Sequence, residues 1–328
     1  MERFVFVSAI ILAACFGIAA LVGNSSHFSF SIDDEGGSAP IVDVAAGSTQ
    51  AQAYQGTELR LKHLAAIVTI TPEDRTDFLI EINSPGGTPM PTVSAEEGRV
   101  VVDGQLRGRI SGCADDGGAS LRGYENVTVD QLPRITIRAP RTLTIARSGA
   151  GTTEIGSTET LALEIAGCDD ATIGDVAGEF RLEAAGAGDV AAGAVRRVEA
   201  DIAGAGDISV GAVAEAANVE LAGAGTFTMA SLTGELSLSS AGAGDVVISG
   251  GSLTRADIEL AGAGNVRIAA PVQVLDVQIV GVSDVDVTGA VGDLDAEIAG
   301  PGNVTVGSVT GTLRQDIAGP GSVNVGSR

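Results

Sequence analysis

A tripeptide Gly-x-Gly followed by a small polar residue recurs through the second half of the chain. Copies open at Gly149, Gly186, Gly204, Gly223, Gly242, Gly262, Gly300 and Gly319. Degenerate copies open at Gly167 and Gly281, where Asp169 and Ser283 replace the second glycine. Successive starts lie 18 to 20 residues apart, most of them 19. A period sustained this long marks a stack of identical supersecondary units rather than two ordinary domains, although 328 residues would allow two.

The pattern inside one unit gives its conformation. Val198, Ala200 and Ile202 alternate with Glu199 and Asp201; Gly204-Ala205-Gly206 follows; Ile208 and Val210 then alternate with Asp207 and Ser209. Alternation with period two is the mark of a half-buried strand. Glycines between the strands permit tight corners. Equivalent positions form columns. Ile208 corresponds to Phe227, Val246, Val266, Val285, Val304 and Val323, and Val210 to Met229, Ile248, Ile268, Val287, Val306 and Val325. Identical coils lying on one another explain such columns better than hairpins, which need unlike turns. The fold class is therefore all-β: a parallel β-helix (solenoid) of about ten 19-residue coils over 148–328. One coil buries about five apolar side chains, worth about 10 kcal/mol before ordering entropy, so stability comes from stacking.

Upstream the pattern loosens. Leu64 to Thr71, Phe78 to Ile82, Val93 to Val102 and Ile135 to Ile145 read as strands, and residues 59–147 as irregular β coils that cap the stack. Residues 24–58 read as a polar linker. Residues 1–23 read as a signal peptide or membrane anchor: Glu2 and Arg3 precede an uncharged run from Phe4 to Val22. Cleavage after Ala19, retention as an anchor and lipidation at Cys15 (in Leu12-Ala13-Ala14-Cys15) are all open, and each places the chain in the periplasm, cell envelope or cell surface. In an oxidising compartment Cys113 and Cys168 are a candidate disulfide.

The charge points outward. With a formal net charge of −23 and 19 scattered basic residues, the chain lacks the clustered cations that nucleic-acid phosphates require. One outward column reads Glu164, Glu183, Asp201, Glu220, Ser239, Glu259, Gln278, Glu297 and Asp316. A second, after Gly-x-Gly, reads Asp170, Asp189, Asp207, Thr226, Asp245, Asn265, Asp284, Asn303 and Ser322. Carboxylates one strand spacing apart (~4.8 Å) repel by about 1 kcal/mol per pair even in water. Weak calcium binding by Asp170, Asp189, Asp207, Asp245 and Asp284, with Glu183, Asp201 and Glu220, would relieve this. Otherwise the columns keep an apolar-cored stack soluble and block lateral pairing, and no cofactor is required.

Nothing points to catalysis. The acidic residues repeat generically, and His27 and His63 have no recognisable nucleophile partner. Trp is absent, and Tyr54 and Tyr124 are the only tyrosines to offer a sugar platform. The expected role is a non-catalytic envelope protein presenting an acidic surface to a surface protein or a polysaccharide; a polysaccharide-active β-helix enzyme is the alternative. The last coil ends at Val325 without a visible cap, which suggests an end-to-end homodimer.

The export segment, the irregular β opening and units such as Gly204-Ala205-Gly206-Asp207-Ile208 resemble the head GIN domain family of bacterial auto-transporter adhesins, over about 59–328. The resemblance implies a right-handed β-helix on the bacterial envelope with an adhesive or scaffold role, and it brings no catalytic residues. Pro301, Pro320 and the Gly281-Val282-Ser283 copy depart from the usual corner.

Overall fold

The structure, a computed structural model, describes residues 46–113, 118–123 and 127–326. Residues 1–23 with Cys15, most of the stretch read as a linker, and Tyr124 lie outside the described residues. Among the described residues no helix is long and apolar enough to cross a membrane.

The repeat region is a parallel β-solenoid. Each coil has three sides, and every strand lies in register on the equivalent strand of the next coil. The alternation in the sequence dictates which residues turn inward. Val198, Ala200, Ile202, Ile208, Val210 and Val213 are all buried, and their counterparts in the next coil, Ala217, Val219, Leu221, Phe227, Met229 and Leu232, lie beside them. The result is one continuous aliphatic core with few aromatics, Phe180 and Phe227 among them.

The strands are longer than the short segments the alternation suggests. Thr226–Gly242 and Ile208–Gly223 run through corners without losing their ladders. The Gly-x-Gly corners bound these strands, each of which ends on the first glycine of the next corner. The first glycines stack on one another, Gly204 on Gly186, Gly223 on Gly204 and Gly242 on Gly223. Several hold positive φ, such as 138° at Gly300 and 137° at Gly281. A Cβ on Gly223 would fall inside the van der Waals envelope of the Gly204 carbonyl oxygen, so the column admits no side chain. Variation in repeat length is absorbed mostly outside these corners: Val195 pairs with Val213 but Arg197 with Ala216, and Val287 pairs with Val306 but Ala290 with Ser308. Against the capping strand the register shifts at the corner itself, between Arg147 and Gly149.

The N-terminal part closes the stack by changing strand direction. Glu58–Glu73 pairs in parallel with Thr142–Ile155, Arg99–Asp103 and Arg134–Pro140. Asp77–Ser84 then pairs antiparallel with Arg134–Pro140, and Gly47–Ser48 and Gln52–Gln55 pair antiparallel with Asp77–Ser84. The stretch read as a linker thus contributes two strands at its end, which cover an edge. Val93 to Val102 is a hairpin rather than one strand. Thr92–Glu96 and Arg99–Asp103 meet at Glu97 and Gly98, both with positive φ, as a tight two-residue turn requires.

The described residues between 104 and 133 leave the stack as a flap. Its strands Ile110–Cys113 and Ala119–Leu121 form a separate two-stranded sheet. Leu106, Leu121, Val127 and Leu132 bury themselves against Ala65 and Ala150, a small core distinct from the main one. At the opposite end, Leu313–Ala318 and Ser322–Val325 pair on one side only among the described residues, and Leu313 and Val325 are exposed.

Candidate functional surface

Inward positions are uniform aliphatic residues, so chemistry is confined to departures from the repeat and to the outward columns. The largest departure is buried. Arg147 occupies the column that continues as Ile165, Ala184, Ile202 and Leu221. Asp169 occupies the second-glycine position. Both side chains are 0% exposed. The Arg147 guanidinium donates to Asp169 Oδ1 at 2.5 Å and to the Ala150 carbonyl at 2.9 Å, and Thr153 donates its hydroxyl to Asp169 Oδ2 at 2.6 Å. The carbonyl oxygens of Leu64 and Ala66 accept longer bonds from the same guanidinium. This cluster ties the first regular coils to the capping strand from inside. Sequence reasoning passed over it, yet a charged residue in an otherwise aliphatic column two residues before a corner was a readable signal.

Cys168, the middle residue of that same corner, is joined to Cys113 of the flap, with Cα atoms 5.9 Å apart. The bond pins the flap to the corner whose interior holds Asp169.

The first acidic column forms an unbroken outward row, each member in register with the next from Glu164 through Asp316. A parallel row two residues earlier contains Arg181, Glu199, Asn218, Ser237, Asp257, Asp276, Asp295 and Arg314. Crowding shows in their protonation. Burial pushes the Glu164 carboxyl up to about 7, with the Glu183 carboxylate adding to the effect and Arg60 opposing it. Burial, followed by Glu220 and Glu199, raises Asp201. Burial, followed by Asp295 and Asp257, raises Asp276. One cause operating at three separated rungs is a property of the ladder, not the signature of a catalytic acid.

The second column does something different. Asp189 N donates to Asp170 Oδ1 at 3.0 Å, Asp207 N to Asp189 Oδ1 at 2.8 Å and Thr226 N to Asp207 Oδ1 at 2.9 Å. Asn265 and Asn303 each donate both backbone and side-chain N–H to the carboxylates of Asp245 and Asp284 below them. Each corner carboxylate thus satisfies an amide of the next coil. Asp170, Asp189, Asp207, Asp245 and Asp284 are hydrogen-bond rungs along the stack, with one oxygen committed each. Among the described residues no three His, Cys, Asp or Glu side chains form a group able to hold a metal ion. His63 sits at a positive-φ position with Nδ1 3.5 Å from Asp103 Oδ1.

The family model described as "Putative auto-transporter adhesin, head GIN domain" matches residues 78–252, 212–309 and 236–328. The chain belongs to this head GIN domain family. Similar solved structures include one titled a putative adhesin from Parabacteroides distasonis, 12% identical, with 86% of this chain and 97% of that chain covered and a TM-score of 0.41. Another from the same organism is titled a putative lipid binding protein, 15% identical, with 87% and 97% covered and a TM-score of 0.43. A putative adhesin from Parabacteroides merdae is 12% identical, with 87% and 97% covered and a TM-score of 0.37. No curated protein matches the chain. The family description is that of an adhesin head, in keeping with a cell-envelope protein.

Proposed function

We propose that this head GIN domain protein is a non-catalytic component of the bacterial cell envelope that presents the charged outer side of its coils to a surface protein or polysaccharide. The observation that carries the reading is the continuous outward row from Glu164 to Asp316 on a largely aliphatic core, in which Arg147 and Asp169 are the buried charged side chains among the described residues. A uniform rigid ladder is suited to multivalent contact, in which many weak rungs add up. A row of like charges gives attachment that salt weakens.

The experiment is attachment of the purified full chain to bacterial envelope preparations across a salt series. Binding is expected to fall as salt rises, and to fall further in the triple variant Glu183→Gln, Asp201→Asn, Glu220→Gln. Equal binding by wild type and triple variant at every salt concentration would remove the acidic row from the function. Release of soluble sugar from the same preparations would favour the polysaccharide-active enzyme instead.

A further inference from the structure

On the second side of each coil one outward column lies between the two inward columns. The column opens with Glu154 and Thr172 and continues through Ala191, Ser209, Thr228 and Val247. In the later coils it holds Arg267, Asp286, Thr305 and Asn324, stacked in register. These four, with Asn265 and Asp284 of the corner column, line an open groove of about 400 Å³.

The groove carries unspent hydrogen-bonding groups of both signs. Arg181, Arg196, Arg197, Arg255 and Arg314 of the repeats each have a carboxylate within 4.0 Å. Arg267 has none among the described residues, although Asp286 occupies the neighbouring rung. Asp284 commits one oxygen to the backbone and side-chain N–H groups of Asn303. Asn324 gives its side-chain N–H to Ser322. The Arg267 fork, the Asp286 carboxylate, the other oxygen of Asp284, the Thr305 hydroxyl and the Asn324 amide oxygen have no protein partner among the described residues. Donors and acceptors therefore alternate along the groove at strand spacing (~4.8 Å).

We propose that this groove binds a neutral glycan chain. A hydroxyl both donates and accepts, so neighbouring hydroxyls of one sugar can take bonds from Arg267 and give them to Asp286, and the next rungs repeat the arrangement. An anionic glycan meets two carboxylates and a chain of net charge −23. A cation leaves the guanidinium fork unused, and an apolar ligand meets a lining that is mostly polar, with only Val266 and Val285 between its polar residues. The inference rests on the partner-presenting reading above and names one class of partner and the rungs that hold it.

The test is saturation-transfer NMR and calorimetry on the full chain, with neutral oligosaccharides of glucose, mannose and galactose and with an oligogalacturonate as probes. Saturable binding of at least one neutral oligosaccharide is expected, weakened about tenfold in Arg267→Ala and in Asp286→Ala, since each loses a hydrogen bond to a charged group. Ser209→Ala, in the same column far from the groove, should bind as wild type does, and unchanged melting curves should establish that all variants are folded. The inference is overturned if no neutral oligosaccharide binds, if binding survives both groove substitutions, or if only the oligogalacturonate binds. Salt-sensitive envelope attachment by a chain that binds no neutral oligosaccharide would leave the acidic-row reading standing while this one falls.

Discussion

The buried Arg147–Asp169 pair sits where the repeat itself supplies the replacement residues. Asp169→Gly restores the corner glycine, but it leaves the Arg147 charge sealed in an aliphatic core. Removing one partner of such a pair costs about 3–5 kcal/mol, and the added glycine contributes about 0.5–1 kcal/mol of backbone entropy. Arg147→Ile alone puts the aliphatic residue of the column in place and leaves Asp169 with only the Thr153 hydroxyl. Its cost is comparable, softened to the extent that the carboxyl takes up a proton. The double variant buries no charge and carries the residue types found at these two positions in other coils. It should lie between wild-type stability and about 4 kcal/mol above it. Independent effects would instead sum to about 6–10 kcal/mol of loss. Urea denaturation of the four proteins with the disulfide intact reads the difference. Because a stack can open locally, amide exchange across Thr142–Ile155 should accompany it. A double variant as unstable as the sum of the singles would refute the argument, since the pair would then be stabilising for reasons other than mutual compensation.

Three further outcomes follow from the ladders. Glu164 titrates near 7 when folded and near 4.5 otherwise, so the native state holds the extra proton between those values and stability falls as pH rises through that window. The side chain is only half-buried, so Glu164→Gln should gain about 1 kcal/mol over wild type at pH 8 and nothing near pH 4.5, as read by melting at both. Gly281→Ala places a methyl group against the Gly262 carbonyl at a φ of 137° and should cost about 1–3 kcal/mol, whereas Val282→Ala, at an exposed corner, should stay within about 0.5 kcal/mol in the same denaturation assay. Reducing the Cys113–Cys168 bond, which spans 55 residues, should remove about 4 kcal/mol of chain-entropy stabilisation and open the flap to trypsin at Arg107, Arg109 or Arg122 before the coils are cut.

The coils were legible because one period repeats ten times and inward and outward positions alternate along most of each strand. The irregular opening was less so. Gln52–Gln55 is an edge strand with mostly exposed side chains, so it leaves no hydrophobic alternation to read. The turn at Glu97-Gly98 was announced only by one glycine inside an apolar alternation that looked continuous. The corner aspartates could be picked out as a column, but their partners are backbone amides of the next coil, and a linear sequence displays no such partner. Arg147 and Arg267 were hidden for a simpler reason. Each looks ordinary beside its chain neighbours and is conspicuous only beside residues 18 to 20 positions away.

That last point bears on where function can reside in such a protein. Stacking fixes the inward residues and the corner glycines, because a change at any rung collides with the rung below. The outward positions escape this constraint, and their neighbours are set by the coil period and not by the chain. A ligand lying along the stack therefore meets Arg267, Asp286, Thr305 and Asn324 as consecutive groups, although the chain places them 19 residues apart. One substitution alters one rung and leaves the core untouched, so the surface can change its partner without endangering the fold. A binding face in this solenoid has to be sought as a run of unlike residues down a column, and the column from Arg267 to Asn324 is such a run beside a groove.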